Sequence, residues 1–300
     1  MVGLSFEQIA ASRPFRILVG TQKREFTIHA SLLASISPPL ERLVNNNMKE
    51  SKDGLAEWPE VDEASFVQFC EFAYTGSYQN LQPICNEAEA EAEAVEDEPG
   101  PDPPMDENIE GNVYQEETKD FHNNWNGMVS RKKKKCKKSL RLEKEEFWPP
   151  SPGSLWQRFE SLSYTVSPAP TEPDPKIDLL RDWYFDNVFL SHARMYVLAD
   201  YYDIDKLAKL SLQKLHSILA LARSPSNSFS ASDIIPVLEY CFTSTVNKGG
   251  VQDELRALLV RYVACRVEGL WEDDAFQDVL ERFGELSRAV VGALRERLNE

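Results

Sequence analysis

Seven basic side chains crowd into eight positions, Arg131, Lys132, Lys133, Lys134, Lys135, Lys137 and Lys138. A run of this kind is a candidate nuclear localisation signal or a contact for nucleic acid or another acidic surface. It is equally a solvated stretch that pairs loosely with acids of its own chain. A lone cluster supplies phosphate contact but no element that reads a groove, which argues against direct nucleic-acid binding. The acids stand close by in sequence. From Glu87 to Glu117 no Lys or Arg interrupts them, and this tract supplies most of the formal charge of −16. So acidic a chain does not offer a broad face to nucleic acid.

Catalytic chemistry is not spelled out. His29, His192 and His216 fall within expected structural elements, with no G-x-S-x-G beside them. There is no P-loop and no G-x-G-x-x-G, so the expectation is a non-enzymatic chain without a cofactor. The five cysteines, Cys70, Cys85, Cys136, Cys241 and Cys265, form no C-x-x-C and are odd in number, which suits reduced thiols. The histidines are too scattered for a zinc site. Asp200, Asp203 and Asp205 invite a metal reading, but caps and first-turn carboxylates at a helix–helix connection explain them better. The start lacks a basic region followed by a continuous apolar one, and no segment approaches 18 apolar residues. The expected location is the nucleus, the cytoplasm or both, with no membrane partner and no secretion.

The positioning elements follow from hydrophobic period. Phe15, Ile17 and Val19 alternate as a strand, Gly20 to Lys23 is a turn, and Phe26 and Ile28 lie on the returning strand. Leu33, Ile36, Leu40 and Leu43 then follow helical spacing, which Pro38-Pro39 divides into two short helices. Leu55 to Val61 is a short strand. Asp62 caps a helix that carries Phe66, Phe69, Cys70 and Ala73 on one face. These front elements lack a partner layer. Helical period resumes at Asp186, with Phe189, Ala193, Tyr196 and Val197 on one face. After a turn at Asp203 to Asp205 come Ala208, Leu212, Leu215 and Leu219. A last set of helices begins near Ser230 or Ser232. It carries Ile235, Leu238, Tyr240 and Cys241, then Leu255, Leu259, Tyr262, Val263 and Val267, then Phe276, Val279, Leu280 and Phe283. Val290, Val291, Leu294 and Leu298 close it.

The stretches "FRILVGTQKREFTIHASLLASISPPLERLV", "MKES", "WPEVDEASFVQFCEFAYTGSY" and "VFLSHARMYVLADYYDIDKLAKLSLQKL" together resemble the BTB/POZ domain, in wording most like its fungal members. The resemblance implies an α+β fold, a small sheet with a cluster of short helices. It assigns residues 13–78 and 186–221 to one discontinuous domain. Residues 79–185, rich in proline and in blocks of like charge, are a mostly disordered insert on composition. Loop-closure cost grows only logarithmically, so the domain can carry the insert if its ends meet at the surface. Within it, Phe147-Trp148 and Trp156, Phe159 and Leu162 are apolar islands that serve as linear motifs or fold back on the domain. Folding back is the expectation for Trp156 and Phe159. Residues 230–299 match, by position and helicity, the BACK-like helical extension of the family.

The family's domains bind other proteins. The resemblance therefore implies a protein-interaction adaptor, either a substrate adaptor for a cullin scaffold of ubiquitin ligases or a nuclear transcription-associated regulator. No zinc finger or kelch repeat accompanies it. Met1 to Pro14 has room for about two helical turns, whereas family dimers that exchange an N-terminal element have a longer lead-in, which sets self-association in question. The cullin-favouring pattern of an apolar residue, any residue and Glu occurs at Val237 and Glu239, with repeats at Val279-Leu280-Glu281 and Phe283-Gly284-Glu285. The first has the better position, just after the domain.

Overall fold

The computed structural model describes residues 5–85, 154–164, 183–222 and 229–298, all within one compact unit formed by Met1–Ala90 and Trp148–Glu300. The basic run, the acidic tract and Phe147-Trp148 lie outside the described residues.

A capped turn of helix, α1 (Phe6–Ala10), leads into the hairpin of β1 (Pro14–Val19) and β2 (Arg24–His29). The strands pair antiparallel from Pro14↔His29 to Val19↔Arg24. Period-two alternation has its physical result here: Phe15, Ile17 and Val19 are fully buried while Arg16 between them faces solvent. β3 (Leu55–Trp58) joins β1 in parallel, giving the order β2-β1-β3. Between β2 and β3 run α2 (Ala30–Ile36), α3 (Pro38–Asn45) and α4 (Lys49–Asp53). The break between α2 and α3 is Ser37, whose hydroxyl accepts from the Leu40 N–H, with Pro38 at the first helical position.

α5 (Glu63–Thr75) starts at Asp62, whose carboxylate accepts from the Ser65 N–H at 2.9 Å. It stops at Gly76, where φ of 81° needs a residue without Cβ. The chain continues past Tyr78 to β4 (Ile84–Cys85), which pairs antiparallel with β5 (Trp183–Tyr184). The flanks of the long stretch between them are thus held side by side, with Cys85 opposite Trp183 and Ile84 opposite Tyr184. A second piece of the insert is also ordered: α6 (Leu155–Glu160), capped by Ser154, with Phe159 fully buried. Trp156 and Phe159 do fold back.

Two longer helices follow, α7 (Asp186–Tyr201) and α8 (Asp205–Leu219). They are apolar on more than one side because they separate two cores. Met195, Leu198, Ala199, Ile204, Leu207 and Leu210 join Phe15, Ile17, Leu40, Phe66 and Phe69 in the front core. Phe189, Ala193, Tyr196, Leu212, Leu215 and Leu219 join the core of the tail. A helix that buries residues all round is one enclosed by protein. The tail is helical throughout: α9 (Ala231–Ser244), α10 (Glu254–Leu270), α11 (Asp274–Arg282) and α12 (Gly284–Leu298). Ser230, rather than Ser232, caps α9 and forms a reciprocal box with Asp233. In α12 it is Leu286 and Val290 that are buried, while Val291 points to solvent.

Candidate partner-binding surfaces

The element pairs that build a binding surface here are fixed by polar contacts across the long gap in sequence. Tyr78, fully buried just past α5, places its hydroxyl 2.8 Å from Nδ1 of His192 on α7. Burial pushes the His192 pKa down to about 3, and the nearby Lys214 ammonium pushes the same way. The ring is therefore neutral, and the two side chains share one hydrogen. Beside them, the Ser191 hydroxyl donates to Gln68 Oε1 at 2.9 Å, and Gln68 Nε2 donates to the Gln79 carbonyl at 3.0 Å. Trp58 of β3 stacks on Tyr202 at the α7–α8 turn, with ring centroids 4.5 Å apart. These contacts tie α5 and the sheet to α7 and α8. His29, at the end of the hairpin, puts Nδ1 2.7 Å from the Tyr74 hydroxyl of α5. Each of these histidines has a structural partner.

The tail is tied down by Arg256, whose guanidinium side chain is only 3% exposed. Its Nε donates to Thr245 Oγ1 at 2.9 Å, and Nη2 donates to the Phe242 carbonyl at 3.2 Å and to the Thr245 carbonyl. Nη1 reaches Glu285 on α12, and the guanidinium lies over the Phe242 ring at 4.6 Å. One side chain thus closes the end of α9 against α10 and α12. Its sequence signal is a lone Arg within the apolar face of α10, between Leu255 and Leu258.

Between the α7–α8 turn and the α9–α10 connection lies an open cleft of about 330 Å³. Asp200, Asp203, Lys209 and Lys248 line it, together with Val246 and Val251, which are 65% and 72% exposed. Asp200 is paired with Lys248 at 2.7 Å. Asp203 takes the left-handed turn conformation at φ 56°, and Asp205 lies in the first turn of α8. The three aspartates are turn and ion-pair residues; of the expected caps, none is formed, because α8 begins without a side-chain cap. Among the described residues, no cluster of His, Cys, Asp or Glu could hold a metal ion. The cleft thus mixes both charges with two exposed valines.

Val237 and Glu239 both fall on α9. Val237 is fully buried in the tail core, and Glu239 is paired with Arg282, so of the two only Glu239 offers surface. The other copies of the pattern repeat this. Val279 is buried and Glu281 exposed, and Glu285 is the partner of Arg256. On an amphipathic helix a core residue and a surface acid two positions apart are commonplace. The basic residues Arg131, Lys132, Lys133, Lys134, Lys135, Lys137 and Lys138 lie outside the described residues. The thiols of Cys70 and Cys241 are pushed up by burial, to about 11 and about 12, which leaves them as unreactive packing groups. Among the described residues, no helix is long and apolar enough to cross a membrane.

Residues 15–90 match the family model of the BTB/POZ domain. No curated protein matches the chain. The three-stranded sheet with its surrounding helices is the fold that the sequence pattern calls for, and the chain carries a BTB/POZ domain at these residues. Domains of this family are protein-interaction modules, so residues 15–90 point to protein partners.

Proposed function

We propose that this chain is a non-enzymatic adaptor whose BTB/POZ domain engages a cullin scaffold and whose helical tail presents a second protein to the ubiquitin ligase. The observation that carries this reading is the α7–α8 pair, which buries one side in the domain core and the other in the tail core. An adaptor needs its two binding surfaces held at a fixed distance, and a shared wall of two helices holds them so. The same sharing supports a discontinuous domain of residues 13–78 and 186–221, an insert of 79–185 and a BACK-like extension of 230–299. Of the apolar-x-Glu pair, Glu239 is the side chain available to a scaffold.

Affinity purification of the full chain followed by mass spectrometry tests the reading. Recovery of cullin and RING components, reduced by Glu239→Lys or by substitutions in the α7–α8 cleft, is the expected result. A preparation free of those components but rich in chromatin proteins supports the second reading, a nuclear regulator. That reading is favoured by the basic run Arg131 to Lys138 alone. Residues 128–142 fused to a fluorescent reporter are then expected to concentrate it in the nucleus, and an even distribution removes that support.

A further inference from the structure

The insert is long, yet a short part of it is seated in the tail. Residues 154–164 lie in a groove between α8 and α10, separated from the rest of the fold by residues 86–153 on one side and 165–182 on the other. The helix α6 is six residues long, too short to persist alone in water. What holds it is a pair of aromatic anchors at positions i and i+3. Phe159 is 1% exposed, its ring 5.0 Å from that of His216 on α8 and 5.7 Å from that of Tyr262 on α10. Trp156 lies under the Arg266 guanidinium at 4.5 Å. Two backbone groups complete the fit. The His216 Nε2–H donates to the Phe159 carbonyl at 2.8 Å, and the Tyr164 N–H donates to Gln213 Oε1 at 3.1 Å.

This is how a groove reads a peptide: anchor side chains on one face of a helical turn, with backbone bonds at its end. The walls share buried residues besides those of the segment, since Leu212 and Leu215 of α8 and Leu259 and Val263 of α10 belong to the same tail cluster. The occupant also leaves recognition groups unused. Tyr262 hydrogen-bonds the Arg266 guanidinium, while its buried Nε and Nη2, like Nδ1 of His216, are left without an acceptor or donor in the fold. Those two guanidinium hydrogens form the edge that takes a carboxylate in a fork.

We propose that the α8–α10 groove is a peptide-binding site for a helical turn with aromatic residues at i and i+3, and that the chain's own segment 154–164 occupies it in competition with a partner helix of that chemistry. A partner that also places an acidic side chain at the Arg266 edge displaces the tethered segment more readily. The proposal stands apart from the identity of the scaffold bound by the BTB/POZ domain.

The test uses the full chain with specific protease sites placed in residues 140–150 and 168–176, cut after folding. A labelled synthetic peptide of residues 152–166 is then added and its anisotropy followed. The expected result is saturable uptake by the cut chain, with uptake by the uncut chain weaker by about tenfold or more, because the tether keeps its own segment at high local concentration. The Phe159→Ala peptide is expected to bind about tenfold or more weakly, in keeping with the loss of one buried aromatic anchor. Absence of uptake overturns the proposal, as does equal uptake of the Phe159→Ala peptide. A loss of helical circular dichroism well beyond that of the six-residue α6 when the cut segment is washed out also overturns it, because the segment is then part of the core and not a ligand.

Discussion

Arg256 shows how much one buried charge can hold. Its removal strands two carbonyls at the end of α9 and the Thr245 hydroxyl, so Arg256→Ala is expected to cost about 3 kcal/mol. Its partner Glu285 has a side chain 70% exposed, where solvent screens the pair. Glu285→Gln is therefore expected to cost under about 1 kcal/mol. Urea unfolding of the two variants measures both. His192 sets a pH dependence. Its pKa is lowered by burial to about 3 in the fold and returns near 6.5 when the chain unfolds. Below pH 6.5 the unfolded chain takes up a proton that the folded chain refuses, so the contribution is complete above that pH and is lost towards pH 3. The expected slope is about 1.4 kcal/mol per pH unit. His216 is lowered by burial too and acts in the same direction. Unfolding free energies at pH 7 and pH 5 show the slope, and His192→Gln is expected to reduce it.

At the scale of elements, Trp58 is the test of how the sheet meets the later helices. It packs on Phe66 and Phe69 of α5 and stacks on Tyr202. Trp58→Ala is expected to cost about 3–5 kcal/mol and to lower the melting temperature of the front core and tail together, seen as a single calorimetric transition. These elements were readable where a strong local signal met a strong period. Phe15, Ile17 and Val19 announced β1, Asp62 announced the start of α5, and Pro38 announced the division between α2 and α3. The helices that escaped are the short ones. α4 is Lys-Glu-Ser-Lys-Asp, with no apolar residue to carry a period, and only the following Gly54 marks its end. α6 exists because Phe159 finds a groove, and that groove belongs to residues far along the chain. Ile234, and not Ile235, is the fully buried member of its pair in α9, as Val290 is in α12. Neighbouring residues on a helix diverge by about 100°, so the packing partner decides between them. Arg256 had only its misplaced polarity to betray it, and its acceptors lie on neighbouring elements.

For the whole molecule, the β4–β5 pairing predicts tolerance of what lies between. Excision of residues 91–147, with α6 and its flanks retained, is expected to change unfolding free energy by under about 2 kcal/mol, because closure entropy scales with the logarithm of loop length. Chemical denaturation of the shortened chain measures it. A loss well beyond that figure would mean the excised stretch contributes contacts of its own.

Tyr78 and His192 stand 114 positions apart along the chain. During synthesis at about 5–20 residues per second, the front sheet and α5 leave the ribosome roughly 6–23 s before α7 does. For that interval Trp58, Phe66 and Phe69 have no later helix to cover them. Translation speed through the insert therefore sets how long the aromatic face of the front core stays open to water.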